Sequence, residues 1–423
     1  MAAELFLSRV GGRLWAALRE GGRTVEFHVE PVGKPPRLGR IVKARVTRLI
    51  PSIQAVFVDA GLERDAFLHA SELRLPNEPA PSGAAPPPAI QGRVSPGQEL
   101  LVQISRESAS AKGDRVTCNI ALPGRFLVLL PLTPQVGISR RIVDPAERGR
   151  LTEILGGLEG GRSGFVARTA AAQVEGGVLE AEAQRLLQSW REIRRRAATA
   201  LAPAAVHDEP PLGIRLLRDA PASLARVVLD DFGELGRARA FLEGIDSALA
   251  ARIEQHEGPL PLFAAHGLDE EIECALRPRV GLPSGGYLVI EQTEALVSID
   301  VNTGKWVSGE CQEETSFATN LEATQEIARH LRLRDLGGIV VVDFVDMDSP
   351  ANRRRLLEVM EQALREDPAR TKVVGLSEIG LLQLTRKRTR SGLRAALTQR
   401  CEACGEGHVL LPEVAAALAR SRP

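Results

Sequence analysis

Cysteines, aromatic residues and long apolar runs are all scarce in this sequence. Its 423 residues contain five cysteines, too few and too scattered for the disulfide framework of a small secreted protein. No uninterrupted apolar segment approaches the roughly 20 residues that a membrane-spanning helix requires. Glu4 and Arg9 interrupt the apolar stretch that a signal peptide would need. We therefore expect a cytoplasmic protein.

Neither sign of charge is in excess. Lys and Arg together number 54, as do Asp and Glu, so the net charge gives no indication of a polyanionic partner. The distribution of charge along the chain does indicate such a partner. Residues 379–400 contain basic side chains and no acid, and local clusters of one sign create an electrostatic footprint. We predict a basic helix there that would hold a polyanion, with Arg386, Lys387, Arg388 and Arg390.

The order of patterns along the chain predicts several compact parts. The length predicts about three units, and an apolar content of 44% is sufficient for their cores. Alternating apolar and polar residues in the first 30 positions predict a hairpin and a third strand. Short strands separated by glycine turns then predict a small β-barrel of the OB type, interrupted by a Pro- and Ala-rich loop at 75–96. An amphipathic helix is expected around 180–196.

Two aspartates, Asp300 and Asp343, each end an apolar run at a turn. The amphipathic stretch 317–333 between them has the length of a helix. A strand, a helix and a second strand in this order predict a parallel crossover unit. Such a unit brings the carboxyl ends of the two strands together, at the edge where open α/β sheets place their sites.

The side chains around the first aspartate divide between two faces of a strand. Ser298, Asp300 and Asn302 share one face, because side chains alternate along a strand. Two carboxylates held together repel each other without a cation, and Mg²⁺ prefers such ligands. We therefore predict a metal site for phosphoryl transfer. The alternative is that each aspartate merely caps a turn. Asp346 differs from Asp343 in parity and is expected to support the site or a turn.

The pair Cys401 and Cys404 has the spacing of half a structural zinc site. His408 is a candidate third ligand from the same loop, but a second CxxC pair is absent from the sequence. Either another protomer supplies the remaining ligands, or the cysteines bind nothing. A redox pair is disfavoured, because the motif does not open a thioredoxin-like helix.

Three further residues have two interpretations each. Phe57 and Phe67 fall in neighbouring strands of the predicted barrel, where they either stack nucleobases or fill the core. Arg168 follows a strand-like run and precedes a hydroxyl residue, Thr169, a pairing that suits a terminal phosphate. Its alternative role is a surface salt bridge, which the sequence alone favours.

Several long motifs resemble those of the ribonuclease E/G family. The run 283–304, which ends in Ser-Ile-Asp-Val-Asn-Thr-Gly, resembles the central motif of this family, and so do 319–323, 327–338 and 341–347. The run 380–390 resembles the G-type branch in particular. The likeness extends from the first hairpin to Cys404.

The resemblance implies an α/β (α+β) multidomain fold. It implies an RNase H-like region made of 1–37 and 212–279, an S1 barrel at 38–121, a 5′-sensor at 122–211, a DNase I-like catalytic subdomain at 280–400, and a zinc-link segment at 401–423.

The resemblance also implies an activity and its residues. The family cleaves single-stranded RNA with Mg²⁺, favours 5′-monophosphorylated ends and acts in RNA processing, such as rRNA maturation or mRNA decay. The catalytic residues fall on Asp300 and Asp343, which hold Mg²⁺, and on Asn302, which positions the phosphate or water. The remaining matches are Gly124, Val128, Arg168, Thr169 and Arg370 for the 5′-phosphate; Phe57, Phe67 and Lys112 for RNA; and Cys401 and Cys404 for zinc shared between two protomers of a homodimer.

This sequence departs from the family pattern at its C-terminus and in the barrel loop. We expect the small C-terminal domain of longer members to be absent, together with a scaffold tail for degradosome partners, which leaves the oligomeric state open. Two competing functions remain: an S1-type RNA-binding protein that does not cleave, and a DNA-directed nuclease of the same metal class.

Overall fold

The computed structural model describes most of the chain. The described residues are 2–33, 36–75, 89–107, 113–158, 163–304, 312–377, 379–388, 392–404 and 407–420. Lys112, Arg390 and most of the Pro- and Ala-rich loop lie outside them. In the part described, no helix is both long and apolar enough to cross a membrane.

The chain alternates short strands with helices of very different lengths. The strands are β1 (Ala3–Val10), β2 (Arg13–Glu20), β3 (Arg23–Pro31), β4 (Ile41–Ile50), β5 (Ala55–Asp59), β6 (Ala66–His69), β7 (Glu99–Arg106), β8 (Arg115–Thr117), β9 (Leu122–Pro123), β10 (Leu127–Leu130), β11 (Gly137–Ile138), β12 (Gly164–Ala167), β13 (Ala204–His207), β14 (Leu224–Leu229), β15 (Ile253–Gln255), β16 (Arg279–Gly281), β17 (Tyr287–Gln292), β18 (Leu296–Asn302), β19 (Gly338–Asp343), β20 (Thr371–Leu376), β21 (Leu382–Arg386), β22 (Thr398–Arg400) and β23 (His408–Leu410). The helices are α1 (Pro145–Gly157), α2 (Gly176–Thr199), α3 (Leu212–Asp219), α4 (Phe232–Glu243), α5 (Ser247–Ala250), α6 (Leu262–Ala265), α7 (Leu268–Leu276), α8 (Gln312–Leu333), α9 (Pro350–Ala363), α10 (Leu393–Leu397) and α11 (Pro412–Arg420).

The chain divides into two compact units. The first unit comprises Met1–Val32, Ala225–Leu235 and Ile253–Pro423, and the second comprises Gly33–Leu224 and Gly236–Arg252. The strands and helices given above confirm the predicted mixed α/β structure. The RNase H-like and DNase I-like assignments, and the domain boundaries, stay predictions.

The first unit contains two large sheets. One has the strand order β15-β14-β1-β2-β3, and the other has the order β16-β17-β18-β19-β21-β20. The predicted N-terminal hairpin and third strand are confirmed as β1, β2 and β3. In the second sheet, β18 and β19 are parallel neighbours joined through α8, so the predicted crossover unit is also confirmed.

One face of the second sheet is covered and the other is open. Its inward side chains include Val297, Ile299 and Val340, each 2% exposed or less, and they pack with residues of α8 and α9 such as Ile327 and Leu356. The opposite face carries the alternate residues of the same strands, which are half-buried or exposed. The apolar alternation in the sequence therefore decides which face becomes core.

The second unit contains a closed five-stranded barrel. Its strands follow the order β4-β5-β6-β8-β7, and β7 closes the barrel by pairing with β4. The predicted OB-type barrel is confirmed. Inward residues such as Val56, Val58 and Leu68 form its core. A separate four-stranded sheet, β11-β12-β10-β9, shares a core with α1 and α2 that includes Leu151 and Leu179. The predicted helix at 180–196 is part of α2.

The prediction of a basic helix near Arg386 is wrong. Residues 382–386 form strand β21 between β19 and β20, because Leu382 and Leu384 alternate with exposed polar residues and fill the sheet core. Arg386 is consequently buried, and its guanidinium donates to Asp367 at 2.7 Å and to Asp335 at 2.7 Å. Burial lowers the pKa of this guanidinium, but the two carboxylates outweigh that effect and raise it. Arg386 stabilises the sheet and is not available to RNA.

Replacement of Arg386 should therefore destabilise the first unit. We expect Arg386→Ala to lower the free energy of unfolding by about 3–5 kcal/mol, because two buried carboxylates would lose their partner. Urea unfolding followed by circular dichroism measures this free energy. Lys387→Ala, which changes the exposed neighbour of Arg386, is the matched control, and its free energy of unfolding should change by less than about 0.5 kcal/mol. Equal stability of the two variants would contradict the assignment.

Candidate active site

The two aspartates lie side by side at the open face of the second sheet. Asp300 on β18 pairs in register with Asp343 on β19. Strands in a sheet are about 4.8 Å apart, and in-register residues project to the same face. Both carboxylates are exposed on that face, at the carboxyl ends of the two parallel strands. The structure therefore brings together the pair that the sequence predicted.

Asn302 completes this group on the same face. Its amide nitrogen Nδ2 donates to Asp300 Oδ2 at 2.8 Å, which fixes the orientation of the carboxylate. The backbone at this point is crowded, since a Cβ on Gly286 would lie 2.7 Å from the carbonyl oxygen of Asn302. The glycine thus permits the close approach of the turn before β17 to the end of β18.

The segment after Asp343 is anchored from α8. The buried side chain of Asn320 donates to the carbonyl oxygen of Val345 at 2.8 Å and accepts from its amide at 3.0 Å. Asn320 is inaccessible to solvent, so these two bonds replace those with water. Its role was missed by sequence reasoning, although a polar residue on the buried side of an amphipathic helix is a detectable signal. Asp346 lies exposed in the loop that follows.

The chemistry of the two carboxylates fits a hard divalent cation. Mg²⁺ is commonly bound by one or two carboxylates and keeps several waters, and an exposed pair leaves room for them. Within the described residues, no group of three or more His, Cys, Asp or Glu side chains could hold a metal. An all-protein cage is thus absent from the described part of the chain, and a two-carboxylate site is the form that its residues allow.

The cysteine pair lies in a small hairpin of β22 and β23. Cys401 is half-buried and Cys404 is exposed, and neither forms a disulfide bond. The amide of Gly407 donates a hydrogen bond to Cys404 Sγ at 3.2 Å. His408 lies opposite Arg400 in the hairpin, and the described residues do not combine it with the cysteines into a group of three metal ligands.

The two phenylalanines lie on the outside of the barrel. Phe57 and Phe67 are cross-strand partners with ring centroids 5.8 Å apart. Both are half-buried and neither belongs to the barrel core. Of the two interpretations of these residues, the core position is therefore wrong.

Two arginines extend the phenylalanine pair into a row across four strands. Arg48 pairs with Phe57 and lies over its ring at 5.0 Å. Arg115 pairs with Phe67 and lies over its ring at 5.5 Å. Sequence reasoning missed both arginines, because a barrel register is not visible in a single strand. Cations placed over aromatic rings on an open surface are the parts of a platform for a stacked, negatively charged chain.

Arg168 lies at the end of β12, as predicted, with its guanidinium already engaged. It donates to the carbonyl oxygen of Gly124 at 2.6 Å and forms an ion pair with Asp219 at 2.7 Å. The hydroxyl of Thr169 contacts that of Ser139 at 2.9 Å. The salt bridge of the alternative interpretation is thus present, but it also holds the guanidinium in a fixed position beside Gly124.

The backbone after Gly124 is held by a buried carboxylate. Glu182 accepts bonds from the amides of Arg125, Phe126 and Leu127 at 2.7–2.8 Å. Burial raises the pKa of Glu182, an effect that the three amides oppose. A Cβ on Gly124 would lie 2.7 Å from the Glu182 carboxyl carbon, so only glycine fits there. Val128 lies half-buried on β10 beside this loop, and Arg370 is exposed in the first unit, before β20.

Comparison with known proteins agrees with this geometry. Residues 121–389, more than half of the chain, match the model of the Ribonuclease E/G family. Ribonuclease G of Escherichia coli (strain K12) is 38% identical over 415 residues, covering 97% of this chain and 85% of the relative. The chain belongs to the ribonuclease E/G family.

Two other relatives also match most of this chain. Ribonuclease G of Haemophilus influenzae is 38% identical over 413 residues, with 96% of this chain and 84% of the relative covered. Ribonuclease E of Escherichia coli (strain K12) is 36% identical over 401 residues, covering 94% of this chain but only 38% of the relative. The resemblance found in the motifs is thus confirmed at the level of the family.

The carboxylate pair of this family member should bind divalent cations. We expect Asp343→Asn to weaken Mn²⁺ binding, measured by electron paramagnetic resonance, by about tenfold or more, because even residues beyond the ligands change metal affinity 10- to 100-fold. Asp346→Asn, an exposed neighbour on the following loop, is the matched control and should change it less than about twofold. Equal affinities in the two variants would place the cation elsewhere.

Proposed function

We propose that this endoribonuclease of the ribonuclease E/G family cleaves single-stranded RNA with Mg²⁺, favours 5′-monophosphorylated ends and takes part in RNA processing. The observation that carries the proposal is the in-register pair of exposed carboxylates, Asp300 and Asp343. The names of the relatives, Ribonuclease G and Ribonuclease E, support RNA as the substrate. Maturation of rRNA and decay of mRNA are the processes that we propose.

Each residue of the carboxylate group has a distinct role. Asp300 and Asp343 would hold Mg²⁺, which polarises a phosphoryl oxygen and makes a water a stronger nucleophile when bound. Asn302 holds Asp300 by one amide hydrogen, and its carbonyl oxygen or second amide hydrogen would orient the water or the phosphate. Asn320, through Val345, keeps the loop after Asp343 in place. These residues position groups before the reaction, which reduces its entropic barrier.

The barrel would bind RNA away from the cut. Phe57 and Phe67 offer rings to bases, and Arg48 and Arg115 add charge next to those rings. Lys112, which we propose as a phosphate contact, lies outside the described residues. Stacking requires unpaired bases, so a single-stranded substrate follows.

The sensor group would bind a terminal phosphate. Gly124, Val128, Arg168 and Thr169 lie at one end of the four-stranded sheet. Arg370, which belongs to the first unit, is a further candidate contact for this phosphate. Arg168 is shared with Asp219, whose pKa is raised by burial but lowered further by Arg218 and Arg168. A terminal phosphate would compete with this carboxylate for the guanidinium. Binding energy gained there favours one RNA end without a chemical role.

Zinc would link two protomers through Cys401 and Cys404. Structural zinc requires four ligands, and two chains with two thiolates each provide them. The hydrogen bond from the Gly407 amide to Cys404 Sγ supports this link, because it holds the sulfur in place. Analysis of freshly purified, reduced protein that finds no zinc would exclude this link.

Cleavage of a defined oligonucleotide tests the main proposal. We expect the wild type to cut a 5′-monophosphorylated, AU-rich RNA in Mg²⁺ and Asp300→Asn to lower kcat/KM by about 100-fold or more, since the metal contributes several kcal/mol. Asp346→Asn serves as the control. Binding without product in the wild type would support a non-cleaving RNA-binding protein, and equal cleavage of the deoxyribose version would support a DNA-directed nuclease.

The same assay tests the sensor. We expect Arg168→Ala to reduce the advantage of monophosphorylated over hydroxyl 5′ ends by about tenfold, the value of a charge-assisted hydrogen bond. The rate on hydroxyl ends should stay the same, because Arg168 takes no part in the chemistry. An unchanged ratio would remove Arg168 from the pocket.

A further inference from the structure

The open face of the second sheet continues beyond the two carboxylates toward its edge strand. On β17, Val289 pairs with Asp300 and Tyr287 pairs with Asn302. Diagonal neighbours on adjacent strands lie about 7–8 Å apart, which is the separation expected between Tyr287 and Asp300. The tyrosine therefore lies next to the proposed reaction centre, on the same face.

Tyr287 has a stacked partner from the edge strand. Arg279 on β16 pairs with Val289 on β17 and is therefore a diagonal neighbour of Tyr287. The guanidinium carbon of Arg279 lies 3.8 Å from the centroid of the Tyr287 ring. This is the shortest of the five cation–ring distances in the described residues. The contact fixes the ring and covers one of its faces with a cation.

Within the described part of the chain, both side chains have binding groups without a partner. Arg279 is exposed and Tyr287 is half-buried. Among the residues described, no carboxylate pairs with Arg279 and no group is hydrogen-bonded to the Tyr287 hydroxyl. Tyr287 is also the one tyrosine of the sequence. A structural salt bridge would have engaged the guanidinium, whereas a ligand site leaves its hydrogens free.

We propose that Tyr287 and Arg279 form a nucleobase-binding subsite beside the cut. This subsite rests on the proposed function, because its ligand is the nucleotide next to the scissile phosphate. The face of the Tyr287 ring opposite Arg279 stacks on the base of that nucleotide, and the guanidinium of Arg279 binds the phosphate that follows. An aromatic ring accepts any base, so the subsite selects an unpaired nucleotide and not a sequence.

Abasic substitution of the RNA tests the stacking contact. Oligonucleotides each lacking one base near the cut are compared in kcat/KM with wild type, Tyr287→Leu and Tyr287→Phe. We expect Tyr287→Leu to cost about 5- to 100-fold, as the loss of one stacked base does, and Tyr287→Phe to cost less than about twofold. At one abasic position, the kcat/KM of the wild type should fall by a similar factor, whereas the kcat/KM of Tyr287→Leu should not fall further.

Arg279 gives a second, independent readout. It is exposed on an edge strand, so Arg279→Gln should fold normally, with an unchanged unfolding midpoint in urea. We expect it to raise KM and to lower the slope of log KM against log salt concentration by about one, as the loss of a phosphate contact does. Arg354→Gln, an exposed arginine of α9, is the matched control and should leave the slope unchanged.

The outcomes separate this inference from the proposed function. If the wild type does not cleave, the proposed function fails. If the wild type cleaves and Asp300→Asn does not, but Tyr287→Leu loses the same factor on every abasic oligonucleotide, the proposed function stands and the subsite is overturned. Loss of stability in Tyr287→Leu with an unchanged salt slope in Arg279→Gln would also overturn it, since both residues would then serve the fold alone.

Discussion

The parallel register of β18 and β19 is the constraint on which the site depends. Asp300 and Asp343 are in-register partners, so their backbones lie about 5 Å apart and two like-charged side chains project to the same face. Nothing about the carboxylates themselves favours this arrangement, since like charges in proximity repel. It is maintained by the opposite face of the sheet, where Val297, Ile299 and Val340 pack against α8 and α9. A one-residue slip of either strand would turn its aspartate toward the core.

Arginines serve two opposite purposes in this protein. Buried ones such as Arg386 and Arg332 are paired with carboxylates, and they stabilise their unit because these carboxylates would otherwise be unpaired. Exposed ones such as Arg48, Arg115 and Arg279 lie over aromatic rings. The equal numbers of acidic and basic residues thus conceal local positive surfaces, and a balanced total charge is compatible with RNA as a partner.

Particular elements show where sequence reasoning succeeded and failed. The crossover unit was predictable, because an apolar strand, a helix-length stretch and another apolar strand admit few topologies. Strand β21 is hidden by the basic cluster around it, which predicts a helix, although Leu382, Leu384 and Arg386 show the alternation of a strand. The sequence does not decide whether the two phenylalanines face the solvent or the core, because alternation along a strand separates two faces of a barrel without indicating which one is inward.

Local alternation and long motifs are enough to predict the strand-end positions of the two aspartates, the barrel and the family. The folded chain is needed to show that Asp300 and Asp343 are direct neighbours, that Arg48 and Arg115 flank the phenylalanine pair, and that Arg279 stacks on Tyr287. These contacts depend on strand register and pairing order, which arise from packing between segments far apart in the chain and leave no periodic trace within any one of them.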